Sequence, residues 1–336
     1  MADIALRSPQ FKHKEIPATW VLSSVCTITI NGASTPAYTL VKNVAPSTSV
    51  NFDISELARD YLEIQYDSSY VTQSVSIVTS INNYAGLNGT GAIVGSASTF
   101  TDRGFESYGT FDEGVNPFFT GNRSEPTILI AANNYTSPAS FTIFAPIGKQ
   151  GKIPYIETDA SLSADSFATN ATSITLDGIN VEIKRIDCTK YGAGRKIIFI
   201  NKYGTQQDLW FFLKEVKSIA RTNENFKSNT ITYPSDTNAT YSISDAPNKV
   251  FNTQAKQSHV LSSGYYPEFA NEYFEQLLLS EYVWMERPSK TNPSSNEIIP
   301  VNVKTSTMTF KTSVNDKLIE YNINFEEAFD YINNIR

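Results

Sequence analysis

The 336-residue chain is poor in the residues that build metal centres and covalent cross-links. It contains two Cys, two His and three Met, and two cysteines are too few for a disulfide scaffold. The two Cys and two His are too scattered along the chain for a structural zinc site. Cys26 and Cys188 belong to apolar runs typical of buried strands, whereas His13 and His259 lie in polar stretches that we interpret as loops. We therefore expect no metal, no cofactor and no Cys–His catalytic pair.

Long hydrophobic segments are also missing. No apolar run approaches the roughly 20 residues that a membrane-spanning helix needs, so we expect no membrane insertion. Residues 1–14 are polar and lack the apolar centre of a signal peptide.

Charge is low, at 18% of residues, and the net charge is −7. An acidic balance disfavours general nucleic-acid binding, which is driven by neutralisation of phosphates. Uncharged polar residues are abundant instead, since Ser, Thr and Asn make up 97 of the 336 residues. The 18 Tyr and 20 Phe are too many for a disordered chain. This composition favours a folded, β-rich protein.

The order of local patterns predicts two β-sandwich or split-barrel-like domains, each with about one helix. In the first, residues 1–155, an alternating segment at 27–30 leads through Asn31-Gly32 to a second strand at 38–41. Residues 52–62 predict a short helix that Asp53 or Ser55 can cap. Residues 146–151 and the polar stretch 157–172 are interpreted as a linker.

The second predicted domain, residues 156–336, opens with the clearest local signal of the chain. Alternating segments flank Asp177-Gly178, which predicts a hairpin with a two-residue turn. A second hairpin is predicted over residues 197–212, and residues 221–250 form a polar stretch. Apolar residues then follow helical spacing near 267–279, and strands are predicted at 282–285, 301–303, 308–310 and 319–325.

Residues 101–126 predict a long loop, because six Gly and Pro interrupt the strand pattern. This loop carries aromatic rings that need burial somewhere, and interfaces are enriched in such rings. We interpret five of them as candidate subunit-interface residues: Phe105, Tyr108, Phe111, Phe118 and Phe119.

The same loop contains the one group of residues that could support catalysis. Asp102, Glu106, Asp112 and Glu113 are carboxylates close to aromatic rings, as a glycosidase requires. Charges on a glycine-rich loop are more often only solvated, and no phosphate loop, dinucleotide fingerprint, zincin motif or nucleophile elbow is present. We therefore predict that the protein is not an enzyme.

Five stretches of the chain resemble, in order, segments of a structural tail or collar protein family from tailed phages that infect Bacteroidetes, including the crAss-like phages. They are residues 7–11 (RSPQF), 52–62 (FDISELARDYL), 199–212 (FINKYGTQQDLWFF), 264–284 (GYYP through LLLSEYVW) and 314–334 (VNDKLIEY through FDYINN). Each is a turn with an aromatic strand or a short helix, and together they cover both ends and the middle.

The resemblance implies a ring or hub, distal-tail-like, built from identical copies, made in the host cytoplasm and located in the virion. Its implied partners are further copies, neighbouring tail, portal or collar proteins, and DNA that passes through without sequence-specific binding. It implies no catalytic residues. Two alternatives remain open: a receptor- or glycan-binding tail module that uses loop 101–126, and a polysaccharide-degrading tail enzyme that uses its carboxylates.

Overall fold

A computed structural model describes residues 1–112, 114, 127–133, 140–187, 194–235, 238–292, 294–312 and 318–332. The chain is mainly β, with 52% strand and 7% helix. This content, with two short α-helices among the described residues, confirms the predicted fold class of β structure with few short helices. The strands fall into three successive groups along the chain.

The first group forms a five-stranded and a two-stranded sheet that share one apolar core. Its elements are β1 (Ala2–Ala5), β2 (Phe11–Glu15), β3 (Ser23–Ile30), β4 (Tyr38–Asn43), β5 (Ser49–Asp53), α1 (Ser55–Arg59), β6 (Val75–Tyr84) and β7 (Ile93–Phe105). The larger sheet has the order β1-β7-β6-β3-β4, and β2 pairs with β5. Cys26 on β3, Phe52 on β5 and Ile77 on β6 are buried in the core between them.

The second group consists of two small sheets. Its strands are β8 (Thr127–Ile128), β9 (Ala132–Asn133), β10 (Ser140–Pro146), β11 (Gly151–Ile156), β12 (Leu162–Phe167), β13 (Ser173–Leu176) and β14 (Ile179–Ile186). They are ordered β13-β14-β10-β9 and β12-β11-β8. The linker predicted over residues 146–151 and 157–172 is wrong, because β12 lies within the second stretch and pairs antiparallel with β11. The predicted boundary between residues 155 and 156 falls inside β11.

The third group builds a seven-stranded sheet covered by a helix. Its elements are β15 (Arg195–Ile200), β16 (Gln206–Phe211), β17 (Glu215–Lys227), β18 (Thr232–Ser235), β19 (Asn238–Thr240), β20 (Asn248–Ser262), β21 (Tyr266–Pro267), α2 (Asn271–Leu279), β22 (Val283–Pro288), β23 (Asn296–Val303), β24 (Leu318–Ile319) and β25 (Asn322–Glu327). The sheet order is β16-β15-β22-β23-β25-β20-β17. Phe274 of α2 packs edge-on against Phe211, Tyr266 and Tyr321, at centroid distances of 6.2, 5.4 and 5.1 Å.

The predicted hairpins are confirmed. In the turn between β13 and β14, Asp177 and Gly178 have φ values of 44° and 93°, and Leu176 pairs directly with Ile179. Positive φ at both central residues is the type I′ geometry that matches the twist of the flanking strands. The pairs β3–β4 and β15–β16 also lie where the sequence predicts them.

Both predicted helices are present. Asp53 Oδ1 accepts hydrogen bonds from the backbone N–H and the hydroxyl of Ser55 just before α1. The N-cap position itself is Ile54. A short 3-10 turn, Glu268–Ala270, leads into α2, whose Tyr273 hydroxyl donates to the carbonyl of Thr142 and so ties the third group to the second.

Two local expectations are wrong. His13 and His259 lie on β2 and β20 rather than in loops, and His259 is buried. No strand forms at 308–310. The polar stretch 221–250, for which the sequence predicts no element, is largely strand. Polar strands whose two faces both meet solvent lack the apolar alternation on which strand prediction relies. Cys26 is a buried free thiol on β3 as expected, whereas Cys188 lies outside the described residues.

We expect Gly264→Ala to lower the free energy of unfolding by about 3 kcal/mol, since it combines a left-handed backbone with overpacking. Gly264 has φ +81°, and a Cβ there would lie 2.2 Å from Cε2 of the buried Phe212. Gly148→Ala is the matched control, because Gly148 has φ +79° but open space around it. Urea denaturation measures both; equal losses would contradict the packing argument.

Candidate assembly surface

The longest hairpin of the chain extends beyond the sheet that it belongs to. β17 and β20 pair from Glu215↔Leu261 to Lys227↔Asn248, whereas the inner neighbour β25 reaches only Ser258–Ser262 of β20. Residues 219–257 therefore project past the sheet, and we call them the arm. Its stem is the two-stranded part, residues 219–227 and 248–257; its tip is residues 228–247. Nine residues on one strand and ten on the other give the stem a length of about 30 Å.

The arm exposes large apolar side chains in the isolated chain. The most exposed are Ile243 at 92%, Tyr241 at 77% and Phe251 at 76%. Phe251 meets the ring of Phe226 edge-on at 6.4 Å. A bare two-stranded hairpin is marginally stable in water, and exposed apolar patches with open strand edges mark interaction surfaces. These features make the arm the best candidate functional site among the described residues.

A buried polar network holds the base of the arm. His259 of β20 lies with Nδ1 2.9 Å from Glu215 Oε1 and with Nε2 3.3 Å from Glu327 Oε1. Arg287 of β22 donates to Glu327 and also pairs with Glu297 at 2.8 Å. Buried charges persist only when they are paired and hydrogen-bonded. The network therefore fixes the point from which β17 and β20 leave the sheet.

Burial of Glu215 opposes ionisation, but hydrogen bonds from His259 and Arg195 outweigh it and lower the pKa of Glu215 to about 2. The sequence missed this network because its members lie far apart along the chain. His259 directly precedes the apolar Val260 and Leu261, and these neighbours are the one weak signal that it lies on a strand.

The five candidate interface rings do not share one environment. Phe105 ends β7 and is buried in a small core with Leu129 and Ile156, so it is not a surface ring in this chain. Tyr108 is half-buried, with the guanidinium of Arg7 5.0 Å from its ring centroid. Phe111 is fully exposed. Phe118 and Phe119 lie outside the described residues, and the predicted loop 101–126 begins as strand up to Phe105.

The candidate carboxylates are largely engaged with cations. Asp102 is buried and lies 2.7 Å from Lys12 Nζ. Glu106 is buried and accepts from Arg59, which also reaches Glu281 at 2.6 Å. Asp112 is exposed, and Glu113 lies outside the described residues. Because Glu281 follows α2, the contacts of Arg59 with Glu106 and Glu281 join the first strand group to the third.

Arg7 strengthens this junction. Its Nη1 donates to the carbonyl of Leu279 at the end of α2 at 3.1 Å, and its Nη2 lies 3.2 Å from Glu281. These contacts connect two of the stretches on which the resemblance rests, residues 7–11 and 264–284.

A small cavity of about 160 Å³ opens beside β15 and β16. Inside it, Tyr70 donates to Asp208, whose burial raises the pKa of the carboxyl group. Lys196 lies 3.2 Å from Glu286. The cavity is lined by Tyr66, Ser68, Tyr70, Gln150, Gly151, Lys152, Ser166, Lys196 and Asp208. Asp208 and Lys196 are paired within the chain, with Tyr70 and Glu286 respectively. The cavity therefore offers a weaker candidate site than the arm.

No protein-family model matches the chain, and no curated protein is significantly similar to it. Within the described ranges, no helix has the length and apolar character needed to cross a membrane. In the same part of the chain, no group of three or more His, Cys, Asp or Glu is placed to hold a metal ion.

The low pKa of Glu215 predicts a pH-dependent contribution to stability. A carboxylate with a lowered folded-state pKa stabilises the fold above its ordinary pKa, 4.5, and loses this effect as pH falls toward about 2. We expect Glu215→Gln to be less stable than the native chain at pH 6, with the difference shrinking toward pH 2. Urea denaturation across this range measures it.

Glu224→Gln is the control, because Glu224 is exposed on β17 and has no ion-pair partner among the described residues. Its stability should follow the native chain at every pH. A Glu215→Gln deficit that stays constant from pH 6 to pH 2 would contradict the assigned pKa.

Proposed function

We propose that the protein is a structural component of a phage tail or collar, located in the virion and built as a homo-oligomeric ring. The observation that carries the proposal is the arm, an aromatic hairpin with a basic stem that extends from an otherwise packed β fold. The ordered resemblance to tail and collar proteins supports the same reading, and it adds neighbouring tail, portal or collar proteins as partners.

A hairpin that reaches out of one subunit suits ring assembly for a geometric reason. If it contacts a different surface on the next copy, the contact is heterologous, and a heterologous contact closes into a ring when its rotation allows. Ring closure also covers the strand edges and apolar side chains of the arm. Assembly then removes the exposed surface that the isolated chain leaves in water.

A ring of this kind would serve as an adaptor or hub and as a conduit for DNA. The net charge of −7 suits that role, because a negatively charged lumen repels phosphates and lets DNA slide. We expect electron microscopy of the assembled ring to show a lumen lined mainly by Asp and Glu. A lumen lined mainly by Lys and Arg would contradict the conduit role.

Shortening the arm should abolish assembly without unfolding the chain. Ser218 and Ser258 are directly paired, so an Asn-Gly turn can replace residues 219–257 in register. We expect the native protein to form rings in negative-stain electron microscopy and the shortened chain to be monomeric by light scattering. Its circular dichroism should still show folded β structure.

A second variant guards against misfolding of the shortened chain. Phe226→Ser, Ile243→Ser and Phe251→Ser together keep the hairpin but remove exposed apolar side chains of the arm. Trp20→Ser is the matched control, because Trp20 is 83% exposed outside the arm. A native chain that is monomeric and absent from particles, or rings that survive both arm variants, would overturn the proposal.

A further inference from the structure

The stem of the arm carries four cations, of which Lys256 alone has an ion-pair partner among the described residues, Glu326 at 3.9 Å. Arg221, Lys227 and Lys249 are exposed and have no ion-pair partner among the described residues. With Lys256 and the single acid Glu224, the stem has a net charge of +3. Two Asp of the tip lower the charge of the whole arm to +1, and since the chain carries −7, the part outside the arm carries −8. The chain therefore combines a basic stem with an acidic body.

An exposed acidic surface lies on and after α1. Glu56, Asp60 and Glu63 are exposed, and the hydrogen bond from Asp60 N to the Glu56 carbonyl, 3.1 Å, places the first two one helical turn apart. Like charges at this spacing repel each other. Arg59, the cation of the same helix, is occupied by Glu106 and Glu281. These three acids have no cationic partner among the described residues.

Aromatic rings accompany these acids, as they accompany the cations of the stem. Tyr61 is 45% exposed and packs edge-on against Tyr38 at 6.0 Å. Tyr38 begins β4, an edge strand of the first sheet. Aromatic faces attract Lys and Arg as well as other rings, so this surface matches the stem, with its Phe226 and Phe251, in both charge and ring content.

We propose that the stem of one copy docks on the surface formed by Glu56, Asp60, Tyr61 and Glu63 of the next copy. The inference rests on the proposed function and names the contact through which the ring closes. No hydrogen bond or ion pair joins the stem to this surface within the described chain. Each copy offers one stem and one acidic surface, which is the arrangement that a head-to-tail ring requires.

Charge reversal tests this contact. The stem variant carries Arg221→Glu, Lys227→Glu and Lys249→Glu; the surface variant carries Glu56→Lys, Asp60→Lys and Glu63→Lys. Each should weaken assembly at least about tenfold, because like charges then face each other. A chain with all six changes should assemble again, since complementarity is restored. Sedimentation velocity measures the dissociation constant of each, and circular dichroism checks the fold.

The control reverses Lys214, Lys290 and Lys311, which are exposed outside the arm, and should assemble like the native chain. Native rings that persist in both three-residue variants, or a six-residue variant that stays monomeric, would overturn the docking contact while leaving the ring itself standing. A native chain that is monomeric would instead remove the proposed function. Loss of binding to a DNA duplex in the stem variant, with assembly unchanged, would assign the stem cations to nucleic acid and overturn the contact.

Discussion

β20 is much longer than its neighbour β25, and this difference in length shapes the surface of the protein. β20 has 15 residues, but only Ser258–Ser262 have a strand on each side. Beyond them the ladder with β17 has no third strand. Residues 331 and 332 cover only its base, where the N–H of Tyr331 donates to the carbonyl of Ala255 at 2.7 Å, and residues 248–252 of β20 are exposed. A hairpin in that position gains little from its own burial.

Buried polar groups hold the base of the hairpin. His259 and Glu327 are both almost fully inaccessible, and Arg287 of β22 pairs with Glu327 of β25 across the intervening β23. Removing one partner of such a group leaves an uncompensated buried charge, which is strongly destabilising. The network therefore fixes the position of β17 and β20 where they leave the sheet.

The sequence was sufficient for elements whose pattern is local. Asp177-Gly178 between alternating arms determines a hairpin by turn geometry alone, and the helical spacing of Tyr273, Phe274 and Leu277 determines the buried face of α2. β11 and β12 were missed because their pairing partners include distant β8 and because Gly, Pro and polar residues obscure their alternation.

The arm was missed for a different reason. Strand prediction from one sequence relies on one face being apolar and one polar, and a hairpin that leaves the sheet has no face assigned to a core. We predicted a subunit interface at loop 101–126 because this segment contains many aromatic rings. Phe105 shows the weakness of that argument, since an aromatic residue near a glycine-rich segment can equally end a strand in the core.

The ion pairs of the chain show which of its acids are neutralised internally. Asp102 and Glu106 are matched within the chain by Lys12 and Arg59, and Glu215 and Glu327 by Arg195 and Arg287. The acids that contribute to the net charge of −7 therefore lie mostly on the surface, where they are available to partners. Because the stem is locally basic, the acidic excess of the body exceeds the overall value. In the proposed ring, a contact that covers the stem would leave that excess as the dominant charge of the exposed walls, which is the charge that the proposed repulsion of DNA requires.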